Sequence, residues 1–234
     1  MDTTAGPSLK YCVEALHLQH GETEAEAIHR IVFEKAKDGW ELVEACGDEI
    51  RMPSLIFKHP LVAPCQYEVD TIAHAKGQGG VDDIRAALID RHDQGWLVLT
   101  VLDSPLSPPI AVYRKKDMKP GENTTKLVVL PISIFGSTAD SVKTEISQQE
   151  VRNDCRLRTI MHSGLAPVLI FLSNTGEPEC EYHVEHASGG FFTDHERKLS
   201  DLINERAHEG WKVCGAFEDE SLLPCVVFCR AASA

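Results

Sequence analysis

Long apolar runs are missing from this sequence, and so is any excess of positive charge. No stretch approaches the roughly 20 apolar residues that a membrane-spanning helix requires, so we expect no membrane insertion. The 23 Lys and Arg residues face 36 Asp and Glu residues, which gives a formal net charge of −13. A chain this acidic repels phosphate backbones and anionic lipid, so nucleic acid is not an expected partner.

A signal for export is also lacking. The first ten residues, MDTTAGPSLK, contain neither the basic region nor the apolar core of a signal peptide. We therefore expect a cytoplasmic protein whose eight cysteines are reduced and mostly buried. Apolar residues make up 43% of the 234-residue chain, enough to build a sizeable core.

A Gly-Trp pair at the end of a helical pattern recurs three times. Trp40 and Trp96 are 56 residues apart, and Trp96 and Trp211 are 115 residues apart, which is close to two such steps. A degenerate copy with Cys155 in the tryptophan position fills the gap. Recurrence at a fixed period predicts a fold built from copies of one unit.

Aromatic residues on both sides keep the same distance from the tryptophans. A tyrosine stands 29 residues before each tryptophan and an aromatic residue stands 17 residues after it: Tyr11, Tyr67 and Tyr182, then Phe57, Tyr113 and Phe228. In the degenerate copy, Phe171 follows Cys155 by 16 residues. The sequence therefore predicts four repeats over residues 1–62, 63–118, 119–176 and 177–234.

Each repeat has the pattern strand, helix, strand, strand. Polar and apolar residues alternate in the first segment, and apolar residues such as Ile28, Ile31 and Val32 follow at helical spacing. We predict an α+β fold of four tandem β-α-β-β repeats, with mainly antiparallel sheets each covered by helices on one face. The polar segment 115–125 predicts a boundary between two lobes, 1–118 and 119–234, in a pseudo-twofold arrangement.

The tryptophans have a simple structural interpretation. The glycine before each one ends the helix, because glycine adopts left-handed backbone angles at little cost. We interpret Trp40, Trp96 and Trp211 as aromatic plugs between helix and sheet rather than as groups that stack on a ligand.

The repeated pattern resembles a family of small bacterial domains of unknown function. The resemblance is carried by Tyr-x-Val, an amphipathic helix, Gly-Trp-Glu-Leu-Val, and an aromatic residue followed by Lys or Arg. GWELVEA with LIFKHP matches best, whereas the third copy lacks the Tyr, Gly and Trp. The resemblance implies a β-α-β-β fold and supplies no catalytic motif. The order of elements is also similar to that of dodecins, small flavin-binding proteins, so flavin is the alternative to an expectation of no cofactor.

One basic cluster stands out in this acidic chain. Arg152, Arg156 and Arg158 surround Cys155 and form a candidate site for an acidic ligand. Nearby cations would lower the pKa of the thiol. No base or orienting carboxylate accompanies it in the sequence, so we predict no catalytic residue.

Potential metal ligands are densest in the fourth repeat, at Glu181, His183, Glu185, His186 and His195. Strand alternation places His186 on the face opposite His183, so we expect a solvated surface and no metal site. Cys225 and Cys229 lie too far apart on one strand to form a disulfide.

Repetition without a shared set of polar residues favours binding over catalysis. We expect a non-catalytic binding or assembly protein, either an accessory subunit of a larger complex or a small-molecule sensor. Its partner would be another subunit or a second copy of the chain. The alternatives are a dodecin-like cofactor-binding protein and an enzyme with a site between the lobes.

Overall fold

The computed structural model describes residues 9–47, 52–61, 65–72, 80–103, 108–115, 125–133, 137–163, 166–173, 176, 178–187, 195–220 and 223–232. The first unit contains β1 (Lys10–Ala15), α1 (Glu24–Lys37), β2 (Glu41–Cys46) and β3 (Ser54–His59). The second contains β4 (Tyr67–Thr71), α2 (Gly80–Asp93), β5 (Trp96–Leu102) and β6 (Ile110–Lys115). The third contains β7 (Lys126–Pro131), α3 (Thr138–Asn153), β8 (Cys155–Ser163) and β9 (Ala166–Ser173). The fourth contains β10 (Cys180–His186), α4 (His195–His208), β11 (Lys212–Glu218) and β12 (Pro224–Ala231).

Each unit forms its own three-stranded antiparallel sheet, with the third strand in the middle. The prediction of an α+β fold with repeated units is confirmed.

The aromatic residues that follow the tryptophans share one register position. Each pairs with the residue that lies two positions after the tryptophan, or after Cys155 in the third unit. These pairs are Leu42 with Phe57, Val98 with Tyr113, Leu157 with Phe171, and Val213 with Phe228.

The degenerate third unit is built like the other three. Each second strand begins after a left-handed residue, which is Gly39, Gly95 or Gly210 at φ 80°, 85° and 87°, and Asp154 at φ 46°. Aspartate tolerates this conformation better than most residues with a side chain. Cys155 then starts β8, as the tryptophans introduce the other second strands.

A β-bulge interrupts all four second strands at the same place. The extra residue lies three positions after the tryptophan or Cys155, and the four bulged residues are Val43, Leu99, Arg158 and Cys214. A bulge bends its strand and increases the local twist. The repeat is therefore preserved in backbone detail where its sequence has changed.

The units contact one another in a closed cycle. α1 packs on β4, α2 on β7, α3 on β10, and α4 returns to β1. The second strands follow the same order, since β2 contacts β5, β5 contacts β8, β8 contacts β11, and β11 contacts β2. The fourth unit thus closes on the first, and the four second strands surround a common centre.

The described residues form four hydrophobic cores, which hold this cycle together. Each contains one helix, the inner face of its own sheet and a face of the next unit's sheet. Leu55 and Phe57 of β3 lie in the core of α1, whereas Ile56 lies in the core of α4. The expectation of helices on one face of each sheet is therefore wrong. A lone unit would leave its second face in water, and the helix of the preceding unit covers that face.

Polar contacts also join the fourth unit to the first. The side chain of Asn204 in α4 accepts from Tyr11 N and donates to Tyr11 O, both at 2.9 Å.

The predicted lobe boundary falls largely on residues 116–124, which lie outside the described residues. Within the described part of the chain, the helices are too short or too polar to cross a bilayer.

Candidate functional site

Three of four equivalent residues meet at the centre of the cycle. The residue after each bulge is Glu44, Thr100, Thr159 or Gly215, and we call these the axial residues. Glu44 Oε1 accepts hydrogen bonds from Thr100 Oγ1 at 2.5 Å and Thr159 Oγ1 at 2.9 Å. The Ala45 amide donates to the same oxygen at 3.0 Å. Three units therefore meet at one carboxyl oxygen.

Glu44 is fully buried, and this burial decides its protonation. Removal from water raises the pKa of Glu44 to about 8, although its hydrogen bonds and Arg158 act in the opposite direction. A carboxyl group with this pKa is mainly protonated at neutral pH. The centre of the cycle is thus polar but largely uncharged.

The fourth axial residue has no side chain because the space is already filled. A Cβ atom on Gly215 would lie 2.9 Å from Ile160 Cδ1 and 3.3 Å from Leu157 Cδ2. Glycine therefore allows β11 to approach β8 closely.

A pocket of about 720 Å³ opens where the second strands begin, and we call it the axial pocket. All four units contribute to it. Five of its lining side chains are basic and one is acidic: Lys58, Arg114, Arg158, Lys212, Arg230 and Glu41. In a chain of net charge −13, this pocket concentrates positive charge.

Arg158 is the pocket cation whose pKa is shifted by its surroundings. Its Nε donates to Val98 O at 2.7 Å, which fixes the side chain across the boundary between the second and third units. Burial lowers the pKa of Arg158, and nearby Arg114 lowers it further, while Glu44 and Glu41 oppose the change. None of the described carboxylates forms an ion pair with Arg158.

Among the described residues that line the pocket, the single acidic one is already engaged by cations. Glu41 pairs with Arg114 of the second unit, and its other oxygen lies 3.2 Å from Lys58 Nζ. Arg230 pairs with Glu181 at 2.8 Å, whereas Lys212 forms no ion pair with a described carboxylate. Arg158 and Lys212 are thus the cations left for a ligand among the lining residues that the structure describes.

One side of the pocket is less polar. Cys180, Cys214 and Cys229 of the fourth unit line this side together with Tyr11 of the first unit, whose hydroxyl accepts from Val213 N at 3.3 Å. Burial raises the pKa of Cys214 well above its usual value, and Cys229 adds to the increase. A thiol in this state is a poor nucleophile.

The structure separates the four residues of the predicted ligand cluster. Arg158 lines the axial pocket, whereas Arg152 is exposed on α3. Arg156 is buried and pairs with Glu150 at 3.3 Å and Asp154 at 3.5 Å. Cys155 lies in a hydrophobic core, where burial raises the pKa of its thiol. The expected lowering of that pKa is not found because desolvation and Asp154 outweigh the effect of Arg156.

The tryptophans lie beside the ends of their helices. Trp96 is 8% exposed within a core, while Trp40 and Trp211 are half-buried at core margins. A basic residue from the central strand covers each ring: Lys115 Nζ is 4.5 Å from the Trp96 ring centroid and Arg230 Cζ is 4.2 Å from that of Trp211. His59 contacts Trp40 with 5.2 Å between centroids. The role of structural plug stays a prediction.

A second polar cluster lies at the other end of the fourth sheet. His186 Nδ1 is 3.2 Å from Asp219 Oδ2 and 3.2 Å from Cys225 Sγ. The other residues of the histidine-rich segment have different partners. His183 contacts Glu185 at 3.3 Å, and Glu181 pairs with Arg230. His195 begins α4. The ligand atoms of His186, Asp219 and Cys225 all lie within 4.8 Å of one another.

Several pocket residues were missed by sequence reasoning, although a signal existed. Lys58 and Arg114 are the basic residues that follow the repeated aromatic anchor, and they share one register position opposite Tyr11 and Tyr67. Their recurrence could have marked them as a set. Their convergence depends on the closed cycle, which no local pattern indicates.

Comparison with known sequences gives no further assignment. No protein-family model matches the chain, and no curated protein matches it.

Proposed function

We propose that this chain is a non-catalytic binding protein that senses a small anionic molecule in the axial pocket. The observation that carries the proposal is Arg158, a partly buried guanidinium that forms no ion pair with a described carboxylate. A charge held in this way is costly unless something pairs with it. An anionic ligand would supply the missing partner.

The other cations support the same ligand chemistry. Glu41 holds Arg114 and Lys58 on one wall of the pocket. These two side chains present N–H donors to a ligand, and they balance the negative charge of Glu41. Lys212 is exposed at the start of β11, where it can meet a ligand from the solvent side. Carboxylate and phosphate groups suit this arrangement, because guanidinium groups form paired, charge-assisted hydrogen bonds with them.

The size of the pocket indicates a metabolite rather than a macromolecule. A volume of about 720 Å³ is within the range of ordinary small-molecule sites. Tyr11 and the thiols of Cys214 and Cys229 provide a less polar surface for the remainder of the ligand. The ligand is therefore expected to carry an anionic group at one end and a compact, weakly polar body.

A binding role accounts better for these groups than a catalytic one. The carboxylate of Glu41 is paired with two cations, and the Cys214 thiol is held protonated by burial. General-base and nucleophilic catalysis need groups with the opposite properties.

Approximate rotational symmetry of the four units belongs to the same proposal. The cyclic order of helix and strand contacts supports it, and so does the meeting of the axial residues. A pseudo-twofold relation between residues 1–118 and 119–234 would be part of such an arrangement. Descent from the small bacterial domain family would explain it by repeated duplication.

Calorimetric titration with inorganic phosphate and with citrate tests the proposal. We expect at least one of them to bind the full chain, and Arg158→Gln to weaken that binding by about tenfold or more. Arg152→Gln is the matched control, because this arginine is exposed on α3 and outside the axial pocket. Absence of binding by both anions, or equal affinity in Arg158→Gln, would contradict the proposal.

The alternatives predict different results from the same sample. Native mass spectrometry of the chain from its own cells would show a bound anion if the sensor proposal holds. A stoichiometric second protein would favour the accessory-subunit role. A yellow sample, or quenching of tryptophan fluorescence by flavin mononucleotide, would favour the dodecin-like alternative.

A further inference from the structure

We propose that His186, Asp219 and Cys225 form a binding site for a divalent transition metal of the zinc type. The three residues end β10, follow β11 and begin β12, so they lie at one end of the fourth sheet. The axial pocket lies at the opposite end of these strands, beside Cys180 and Arg230. The site is therefore independent of the anion site.

The distances suit a metal with tetrahedral coordination. His186 Nδ1 is 3.2 Å from both Asp219 Oδ2 and Cys225 Sγ, and the three ligand atoms lie within 4.8 Å of one another. Ligands at about 2.0–2.3 Å from a tetrahedral zinc ion are separated by about 3.3–3.6 Å. Small side-chain movements would bring all three atoms onto one ion.

Without a metal, ordinary hydrogen bonds satisfy the cluster: Nδ1–H of His186 can donate to Asp219, and the Cys225 thiol donates to Leu223 O at 3.7 Å. With a metal bound, the imidazole nitrogen, the carboxylate and the thiolate would all direct electron pairs at the cation.

The surroundings favour a cation at this point. The carboxylates of Asp219, Glu220 and Glu218 lie close enough to Cys225 to act on it electrostatically. These carboxylates stabilise positive charge at this point. On binding, the thiol loses its proton to solvent and its sulfur bonds to the metal, so two anionic ligands balance the dication.

Neighbouring groups hold the ligands in place and leave one side open. Leu223 N donates to Asp219 Oδ1 at 2.9 Å, so the other oxygen, Oδ2, is the one directed at His186. Cys225 is fully buried, whereas the side chain of His186 is 48% exposed. A water molecule would complete the coordination from that side.

The site is confined to the fourth unit. At the register position of the His186–Cys225 pair, the other units have Ala15 with Ser54, Thr71 with Ile110, and Pro131 with Val168. None of these pairs offers the same ligands. The fourth copy has therefore acquired chemistry that the common unit does not require.

Titration of the chelator-treated full chain with Co²⁺ tests the proposal. We expect one bound ion per chain, a thiolate-to-cobalt charge-transfer absorption, and displacement by Zn²⁺ with a rise in melting temperature. His186→Asn should weaken binding by about 100-fold or more, and its exposed position keeps the fold intact. Cys225→Ala should abolish the absorption.

Cys229→Ala is the matched control, because this cysteine lies on the same strand outside the cluster, and the absorption should remain. Absence of the absorption in the unaltered chain would overturn the proposal. So would its persistence in Cys225→Ala, or unchanged affinity in a folded His186→Asn. Anion binding at the axial pocket is measured separately, so failure of one proposal does not affect the other.

Discussion

Thr100 and Thr159 occupy the same position in two different units, and both of their hydroxyl groups donate to one carboxyl oxygen of Glu44. The acceptor, Glu44, belongs to the first unit and stands at the same position of its own strand. Equivalent residues of three units thus meet at the centre of the cycle. The contact therefore joins the repeat in the sequence to the closed cycle in the fold.

Glu44 should make stability fall as pH rises. Its pKa is about 8 when folded and its ordinary value is 4.5, so the unfolded chain releases this proton first. The contribution is complete below pH 4.5 and is lost as pH rises through 8, with a total on the order of 5 kcal/mol. Denaturant unfolding between pH 5 and 8 should show this decline, and Glu44→Gln should remove that part of it.

The control is Glu14→Gln, whose carboxylate is 41% exposed in an ion pair with Lys35. This variant should keep the decline of the unaltered chain. A decline of equal slope in Glu44→Gln would show that other groups cause it.

Gly215→Ala should destabilise the contact between β8 and β11. The added methyl group would meet Ile160 at 2.9 Å, and overpacking of this kind costs about 1–3 kcal/mol. Ile160→Val removes the nearest atom, so the double variant should lose less than the sum of the two single changes. Strict additivity in chemical denaturation would argue against the close approach.

The tryptophans should differ in their contribution to stability. Trp96 is 8% exposed, and Trp96→Ala should lower the free energy of unfolding by about 3–5 kcal/mol. Trp40 is half-buried at a core margin, so Trp40→Ala should cost less. Unchanged melting of Trp96→Ala, combined with loss of ligand binding, would replace the structural role with a ligand-binding one.

Two arginines of β8 should respond in opposite ways to the same substitution. Arg158→Met should raise the free energy of unfolding of the ligand-free chain by roughly 1–2 kcal/mol, because it removes a partly buried cation that forms no ion pair with a described carboxylate. Arg156→Met should lower it by about 3–5 kcal/mol, because it leaves the mostly buried Glu150 without its partner. Thermal and denaturant melts of both variants measure the difference. A loss of stability in Arg158→Met would indicate a structural role.

Much of the local structure could be predicted from the sequence. The spacing from Tyr11 to Trp40 to Phe57 gives the register of the first unit, and the same spacing identifies Cys155 as the start of a second strand. Local rules suffice here because helix ends and strand alternation depend on neighbouring residues.

The arrangement of the units could not be predicted in the same way. Ile56 alternates with buried neighbours, but nothing in β3 indicates that the helix of the fourth unit covers it. The axial pocket and the His186–Cys225 contact depend on the same long-range packing. Of the candidate site predicted from the sequence, Arg158 alone lines the axial pocket. Alternation would place Arg156 and Arg158 on one face of the strand, and the β-bulge at Arg158 separates them.

Carbon-13 NMR of the Glu44 carboxyl group, followed through a pH titration of the full chain, tests the closed cycle most directly. If four units surround this side chain and exclude water, its pKa will be near 8, and replacement of both Thr100 and Thr159 by valine will raise it further because their hydrogen bonds lower it. A pKa near the ordinary 4.5 would mean that water reaches the carboxyl group, and the closed cycle would be contradicted.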